Sequence, residues 1–208
     1  LSAFYMNNGF INVQIGEPII TYDRDGIRIK IPVSEGRQFR VGKVEITGDE
    51  IKIPRAELTA KLLILKRDFY DREAIMKDID YLTQSCNDEG YAGADVIPRT
   101  EPREATQTVD VTYLINKANL VYFNRINITG NTKTRDKVIR RQLSVVEGDL
   151  YSRTKLKDSY LALNRLRYFE EIDFQSEKGP AENLTDINIR VKEKQTGVFS
   201  IGAGYSAS

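Results

Sequence analysis

Two stretches of this chain are related by a shift of 82 residues. Residues 39–48 (FRVGKVEITG) recur as residues 121–130 (VYFNRINITG), with the apolar positions and the closing Thr-Gly in the same places. Shorter matches support the repeat, and a strictly alternating stretch occurs three times, at residues 27–33, 109–115 and 187–191. Because self-similarity at a fixed spacing marks repeated structural units, three copies are predicted, the first without its front half.

Each copy has the pattern of one strand, two helices and two further strands. The apolar alternation of the first strand slips once, between Val41 and Val44 and again between Phe123 and Ile126, which predicts a β-bulge in each copy. The last strand alternates without a slip, so one face of its sheet is expected to be buried and the other wet. The predicted fold class is therefore α+β, with two helices on a three-stranded mixed sheet in every β-α-α-β-β unit.

The ends of the helices can be placed from single residues. Asp71 and Ser152 are good N-cap residues for the second helix of their copies, and Thr134 is expected to cap the first helix of the last copy. Gly90 is expected to end the long helix of the middle copy. The chain is predicted to divide into four segments: 1–35, 36–118, 119–194 and 195–208.

Composition excludes most catalytic chemistry. The chain has no His and one Cys, so no His-based acid, base or nucleophile pair, no His-ligated metal, no internal disulfide and no multi-Cys zinc site is expected. No catalytic residue, metal or cofactor is predicted. Cys86 lies on an apolar helical stripe and is expected to be buried, whereas acidic pairs such as Asp78 and Asp80 are interpreted as exposed charges.

Three motifs of the repeated unit resemble those of the POTRA domain. They are the strand ending in Thr-Gly-Asp or Thr-Gly-Asn, the Asp-Phe-Tyr or Asp-Leu-Tyr before the second helix, and the Gly-Tyr or Gly-Phe after it. The resemblance makes residues 1–35 the back half of one POTRA domain, and 36–118 and 119–194 complete ones. Because the chain opens in mid-pattern at Leu1, it is expected to be a piece of a larger protein.

The tail sharpens the resemblance. Residues 191–205 are similar to the junction between the last POTRA domain and the first barrel strand of BamA-type outer-membrane assembly factors. From Gly197 onward apolar and small side chains alternate, as in a transmembrane β-strand. The start of a barrel strand is therefore expected at Phe199, Ile201, Gly202, Gly204 and Tyr205.

The resemblance implies a non-enzymatic function in the periplasm, at the outer membrane. Unfolded outer-membrane proteins would add a strand to the sheet edge that follows the second helix, because unpaired backbone groups accept an extended peptide. The edge residues expected to contact clients are Ile11, Val13, Ile15, Tyr91, Gly93, Ala94, Asp95 and Val96. For the last copy, an edge blocked by neighbouring parts of the protein is the favoured interpretation. The family also uses a Glu-Gly pair of its last domain to contact a partner lipoprotein, and Glu147-Gly148 matches that motif.

Other functions stay open at this point. A TamA-type or two-partner-secretion translocator would use the same domains to export a dedicated substrate, and an enzyme using carboxylates or a structural POTRA protein are further alternatives. Nucleic acid is not expected as a partner, since the GxxG loop that an RNA-binding KH module needs is missing between the helices. Residues 119–194 carry 15 basic and 11 acidic residues. An ordinary solvated surface is the favoured interpretation, and an anionic neighbour such as a lipid surface or an acidic partner is the alternative.

Overall fold

A computed structural model describes residues 1–23 and 26–194 of the chain. The residues fall into two compact units that divide between Leu120 and Val121. The first unit contains the partial copy together with the middle copy, and the second contains the last copy. The predicted α+β class is confirmed, with one three-stranded mixed sheet in each unit.

The partial copy forms two small antiparallel strand pairs, β1 with β4 and β2 with β3. Its elements are α1 (Ser2–Met6), β1 (Gln14–Ile15), β2 (Ile19–Asp23), β3 (Gly26–Lys30) and β4 (Val33–Ser34). Of the edge residues predicted here, only Ile15 lies in a strand. Ile11 and Val13 precede it, because the chain is still turning after α1, where the Phe10 amide donates to the Tyr5 carbonyl at 3.0 Å.

The middle copy forms the β-α-α-β-β unit expected from its sequence. Its elements are β5 (Arg40–Gly48), α2 (Arg55–Ala60), a short 3₁₀ helix (Ile64–Lys66), α3 (Arg72–Asp88), β6 (Asp95–Arg103) and β7 (Thr108–Asn116). The strand order is β5-β7-β6, with β7 parallel to β5 and antiparallel to β6. The inward side chains of β7 are fully buried under the helices, namely Val109, Val111, Tyr113 and Ile115.

The last copy repeats this arrangement. Its elements are β8 (Tyr122–Thr129), α4 (Asp136–Arg140), α5 (Arg153–Arg165), β9 (Phe169–Lys178) and β10 (Leu184–Glu193), and the strand order is β8-β10-β9. Its core contains Phe123, Ile139, Leu163, Ile187 and Ile189. Burial of a large apolar side chain stabilises a fold by about 1.5–3 kcal/mol, so cores of this size hold each unit together.

Both predicted bulges are confirmed. The strand register shifts between Val41 and Val44 in β5, and at the matching place in β8. A carboxylate on the central strand binds the amide that each bulge leaves unpaired: Asp110 accepts from the Lys43 amide at 2.8 Å, and Asp186 accepts from the Arg125 amide at 3.1 Å. The bulge is thus stabilised from the neighbouring strand rather than tolerated as a defect.

The predicted N-caps are confirmed for the long helices and wrong for α4. Asp71 accepts from the Ala74 amide and Ser152 from the Lys155 amide, both at 3.1 Å. Helix α4 follows Arg135 instead of Thr134, and no side chain caps it. Thr134 belongs instead to the loop before the helix, where its amide donates to Glu193 at 2.6 Å.

Candidate functional site

The first strand of each sheet has its outer edge covered at one end. In the middle copy, the segment between the helices runs beside β5: the Val41 amide donates to the Asp68 carbonyl at 3.3 Å, and the Tyr70 amide donates to the Phe39 carbonyl at 3.0 Å. In the last copy, the Phe123 amide donates to the Asp149 carbonyl at 2.9 Å in the same way. These contacts occupy backbone groups that an incoming strand would need.

The opposite edge of each sheet is formed by β6 or β9, the strand after the long helix. Within the described residues, each of these strands pairs on one side only, with β7 or β10. Backbone groups on the other side are therefore available to an extended peptide, as edge strands present them in β-augmentation. This is the edge that the sequence resemblance implied.

Strand β9 presents a complete row of outward backbone donors. The Gly179 amide donates to the Leu184 carbonyl at 2.9 Å. Because hydrogen-bonded pairs alternate along antiparallel strands, the backbone groups of Gly179 and of every second residue before it bond to β10. The alternate residues turn their amides and carbonyls outward, namely Ile172, Phe174, Ser176 and Lys178. None of them is Pro, so all four amides can donate.

Strand β6 presents fewer donors at the equivalent positions. These are Val96, Pro98, Thr100 and Pro102, as their pairing with β7 shows. Pro is tolerated in a strand only where its missing amide would face away from the ladder, which agrees with this assignment. Only Val96 and Thr100 can therefore donate outward, and the prolines limit pairing along this edge.

The structure also corrects where the middle-copy edge begins. Tyr91, Gly93 and Ala94 were predicted in the edge strand, but they form the turn before it, in which the Ala94 amide donates to the Tyr91 carbonyl at 3.0 Å. Asp95 and Val96 do lie in β6, although the Val96 side chain is buried. The accessible part of the edge is therefore further along the chain than the sequence indicated.

An apolar surface lies beside the β9 edge. Phe174 is half-buried, and the ring of Tyr160 on α5 packs edge-on against it with centroids 6.1 Å apart. Tyr160 is itself exposed. A strand added to β9 would bring alternate side chains to this helix-facing surface, which gives apolar residues of the added strand a place to pack.

The Glu147-Gly148 pair takes part in the structure of its own unit. Glu147 Oε1 accepts from the Ile126 amide in the bulge at 2.9 Å and lies 3.7 Å from Arg140 Nη1. The Glu147 side chain is 49% exposed, and the Gly148 amide donates to the Phe123 carbonyl at 2.7 Å. A partner could thus reach Glu147, but one of its oxygens already stabilises the bulge.

Asp78 was interpreted from the sequence as an exposed charge, but the structure shows that it is buried. It is 1% exposed, and its carboxylate accepts from the amides of Leu63 and Ile64 at 2.6 and 3.1 Å and from the Tyr113 hydroxyl at 2.9 Å. The last copy has Ser159 in its place, which accepts from the Ser144 amide at 2.8 Å. Repeat alignment would have paired Asp78 with a small polar residue, a signal that both positions face inward.

Cys86 is buried as expected, and burial raises the pKa of its thiol to about 11, which disfavours the reactive thiolate. No cluster of potential metal ligands occurs among the described residues. The expected barrel-strand residues, from Phe199 to Tyr205, lie outside the described residues.

Comparison with known proteins identifies the family. The POTRA family, described as a surface antigen variable number repeat, matches residues 39–118 and 121–194. The chain belongs to the POTRA family. The matched residues include both three-stranded sheets and both candidate edges, so the POTRA domain is the unit that presents β6 and β9.

Relatives of this POTRA chain are outer-membrane assembly factors. BamA from Nitratidesulfovibrio vulgaris is 34% identical over 99% of the chain, as is BamA from Neisseria meningitidis serogroup B. The chain spans 26% of the length of each of these two proteins. The chain is therefore similar to one part of a BamA-type protein, its POTRA region.

Solved structures show the same fold. The third to fifth POTRA domains of Haemophilus influenzae BamA match with a TM-score of 0.76 and 22% identity, over 92% of this chain and 76% of that one. Haemophilus ducreyi BamA lacking its first three POTRA domains matches with a TM-score of 0.65 and 22% identity, over 75% of this chain and 30% of that one. Among the described residues, no helix has the length and apolar character to span a bilayer.

A carboxylate at the end of the last POTRA strand predicts a pH dependence. Hydrogen bonds from the side chain and amide of Thr134, the Lys133 amide and the Thr132 hydroxyl lower the pKa of Glu193 from 4.5 to about 2. A carboxylate whose pKa is lower in the folded than in the unfolded state stabilises the folded unit at pH values above the unfolded-state pKa. This stabilisation is lost as the pH falls through the folded-state pKa. We expect Glu193→Gln to lower the urea midpoint at pH 7, with the difference from wild type shrinking between pH 4.5 and 2.

Urea titrations at pH 7, 4 and 2.5 measure this effect. Glu182→Gln, at an exposed Glu of the same unit, is the control and should leave the midpoint nearly unchanged at each pH. A constant difference between Glu193→Gln and wild type across this range would contradict the assignment.

Proposed function

We propose that this POTRA chain is the periplasmic, non-catalytic region of an outer-membrane protein assembly factor, and that it binds unfolded outer-membrane proteins by adding one of their strands to its sheet edges. The observation that supports this best is the asymmetry of the sheets. One edge has backbone groups occupied by the segment between the helices, whereas β6 and β9 present outward backbone groups. Main-chain hydrogen bonds read no side-chain identity, which suits a receptor for many clients.

The number of outward-facing amide donors differs between the two edges and indicates which would bind an added strand more strongly. β9 offers amides at Ile172, Phe174, Ser176 and Lys178, together with the apolar surface at Tyr160. β6 offers two donors, because Pro98 and Pro102 have none. We therefore propose β9 as the stronger client edge and β6 as the weaker one, the reverse of the ranking favoured from the sequence.

A proline scan of outward positions tests this function. Ser176→Pro removes an outward donor of β9 while sparing the bonds to β10, because the Ser176 amide faces away from that strand. We expect Ser176→Pro to weaken binding of a dye-labelled peptide with the sequence of residues 197–208 by at least about fivefold, as the loss of a hydrogen bond of about 1 kcal/mol implies. Fluorescence anisotropy titration measures the dissociation constant.

Thr100→Pro is the matched variant on β6, where it removes one of two donors. It should weaken peptide binding less than Ser176→Pro does, since β6 is the weaker edge. Thermal unfolding of both variants confirms that the sheets remain folded. Equal, unchanged affinity in both variants would show that peptides do not bind at these edges.

The lipoprotein contact at Glu147-Gly148 is the second part of the proposal. The Glu147 oxygen that does not bind the bulge could accept from a cationic side chain, and exposed Val146 beside it gives an apolar contact. Assembly-machinery lipoproteins are the proposed partners at this surface. The outer membrane is the proposed location, with residues 199–205 leading into a barrel.

A further inference from the structure

Five of the nine residues from Lys133 to Arg141 are basic, and one is acidic. They occupy α4 and the loop before it, and we name them the basic segment. Their net charge of +4 equals that of residues 119–194 as a whole. The other residues of 119–194 carry ten basic and ten acidic side chains, so their charges sum to zero.

Hydrogen bonding divides the basic segment into one structural residue and four free ones. Arg140 donates to Asp136 at 2.6 Å and to the Ile126 carbonyl at 2.8 Å, so it holds α4 on the sheet. The other four side chains are exposed, and no carboxylate of the described residues forms an ion pair with them. They are Lys133, Arg135, Lys137 and Arg141.

The middle copy lacks this feature in the corresponding stretch. There Arg55 donates to the Ile46 and Gly48 carbonyls, and Lys61 pairs with Glu57 at 2.9 Å. Lys52 is the one basic side chain of residues 52–61 without such a partner among the described contacts. Within this stretch, unpaired positive charge therefore accumulates in the last copy and not in the middle copy, although both complete copies share one fold.

The basic segment is anchored to the end of the unit from which the chain continues toward residue 195. Glu193, the last residue of β10, accepts from the Lys133 and Thr134 amides at 2.9 and 2.6 Å and from the Thr132 hydroxyl at 2.9 Å. If residues 199–205 begin a membrane strand, as the proposed function holds, this end of the unit faces the bilayer. The segment would then lie beside lipid headgroups.

We infer that the basic segment is a binding surface for anionic lipid headgroups, which orients the last POTRA domain at the membrane. This inference rests on the proposed function for its geometry. Lys and Arg side chains near an anionic surface each add to membrane attraction, and the attraction falls with salt. The four unpaired cationic side chains lie on one short helix and its adjoining loop residues, and their positive charge complements the negative phosphates of a lipid bilayer surface.

Vesicle binding of the whole chain tests the inference. We expect co-sedimentation with vesicles of phosphatidylcholine containing roughly one third phosphatidylglycerol, and little with pure phosphatidylcholine. Replacing Lys133, Arg135, Lys137 and Arg141 with Gln should lower the partition coefficient at least about tenfold. The matched control replaces four exposed basic residues elsewhere in the unit: Arg125, Lys157, Arg165 and Lys178.

The control variant loses the same net charge and should keep most of the binding. Equal loss in both variants would overturn the inference, because it would assign binding to net charge alone. Binding of an acidic peptide such as poly-glutamate without binding to the anionic vesicles would also overturn it, in favour of a protein partner. The peptide of residues 197–208 carries no charged side chain, so we expect its anisotropy titration to be unchanged in the basic-segment variant. The client-edge test and the lipid test can therefore fail independently.

Discussion

Replacing Asp78 with Ala is expected to unfold the first unit at a much lower urea concentration than wild type. The change leaves the amides of Leu63 and Ile64 and the Tyr113 hydroxyl without an acceptor in a buried place. Each buried orphan group costs about 1–3 kcal/mol, so we expect a total loss of about 3–5 kcal/mol in the free energy of unfolding, as for other broken buried polar networks. Burial and the neighbouring Asp78 also raise the pKa of Tyr113 far above its ordinary value.

A double-mutant cycle with Tyr113→Phe shows whether the effect has this cause. Phe removes the orphan hydroxyl, so the double variant should be more stable than the sum of the single effects implies. Met76→Ala, at an exposed position of the same helix, is the control and should change stability by less than about 0.5 kcal/mol. Hydrogen exchange resolved by mass spectrometry assigns the loss to the first unit.

The last unit gives an internal comparison. Ser159 binds one amide where Asp78 binds two and a hydroxyl. Ser159→Ala should therefore destabilise its own unit by only about 1 kcal/mol. A loss below about 1 kcal/mol for Asp78→Ala as well would mean that water replaces the carboxylate, which would contradict the structural role assigned here.

The fold could be predicted from the sequence wherever a local pattern decides the structure. The slip between Val41 and Val44 marks a bulge because side-chain alternation changes at the bulge itself. Asp71 and Ser152 cap helices through amides three residues away, a contact within one turn. The repeat then confirmed each assignment twice, since both units follow the same rules.

The features that were missed depend on contacts between distant residues. Asp78 has the spacing of a surface charge, and only the approach of Leu63 and Tyr113 makes it a buried acceptor. Thr134 has the sequence of an N-cap, but its amide is bound in the loop before α4 by Glu193, which lies 59 residues later in the chain. Neither pairing leaves a periodic or local signal of its partners, and the small polar Ser159 at the place of Asp78 in the last copy indicates only that this position faces inward.

The proposed ranking of the two candidate edges differs from the sequence-based one for a related reason. Pro98 was correctly associated with an edge strand, because Pro cannot donate to a central ladder. Its effect on client binding depends on which way each amide points, and that follows from the register between β6 and β7. Ala94, which seemed a mid-edge position, lies in the preceding turn.

Replacing Gly130 with Ala is the second change from which we expect a large effect. Gly130 ends the first strand of the last unit at a φ of +84°, and a Cβ there would overlap the Val191 carbonyl oxygen on β10. The left-handed conformation alone costs a non-glycine residue about 1–2 kcal/mol, and the overlap forces the parallel strands β8 and β10 apart. We expect a loss of at least about 3 kcal/mol in the free energy of unfolding of this unit.

Gly148→Ala separates the two causes. Gly148 has nearly the same φ, +89°, but a Cβ there would have no atom within 4 Å. It should therefore cost only the conformational part, about 1 kcal/mol. Urea unfolding gives the loss in the free energy of unfolding for each variant. The difference between the two losses is the cost of the steric overlap between the added Cβ and the Val191 carbonyl oxygen. Equal losses would mean that the end of β8 can move aside to accommodate the Cβ. Glycine after Thr129 would then be needed for the left-handed turn and not for the close approach of β10.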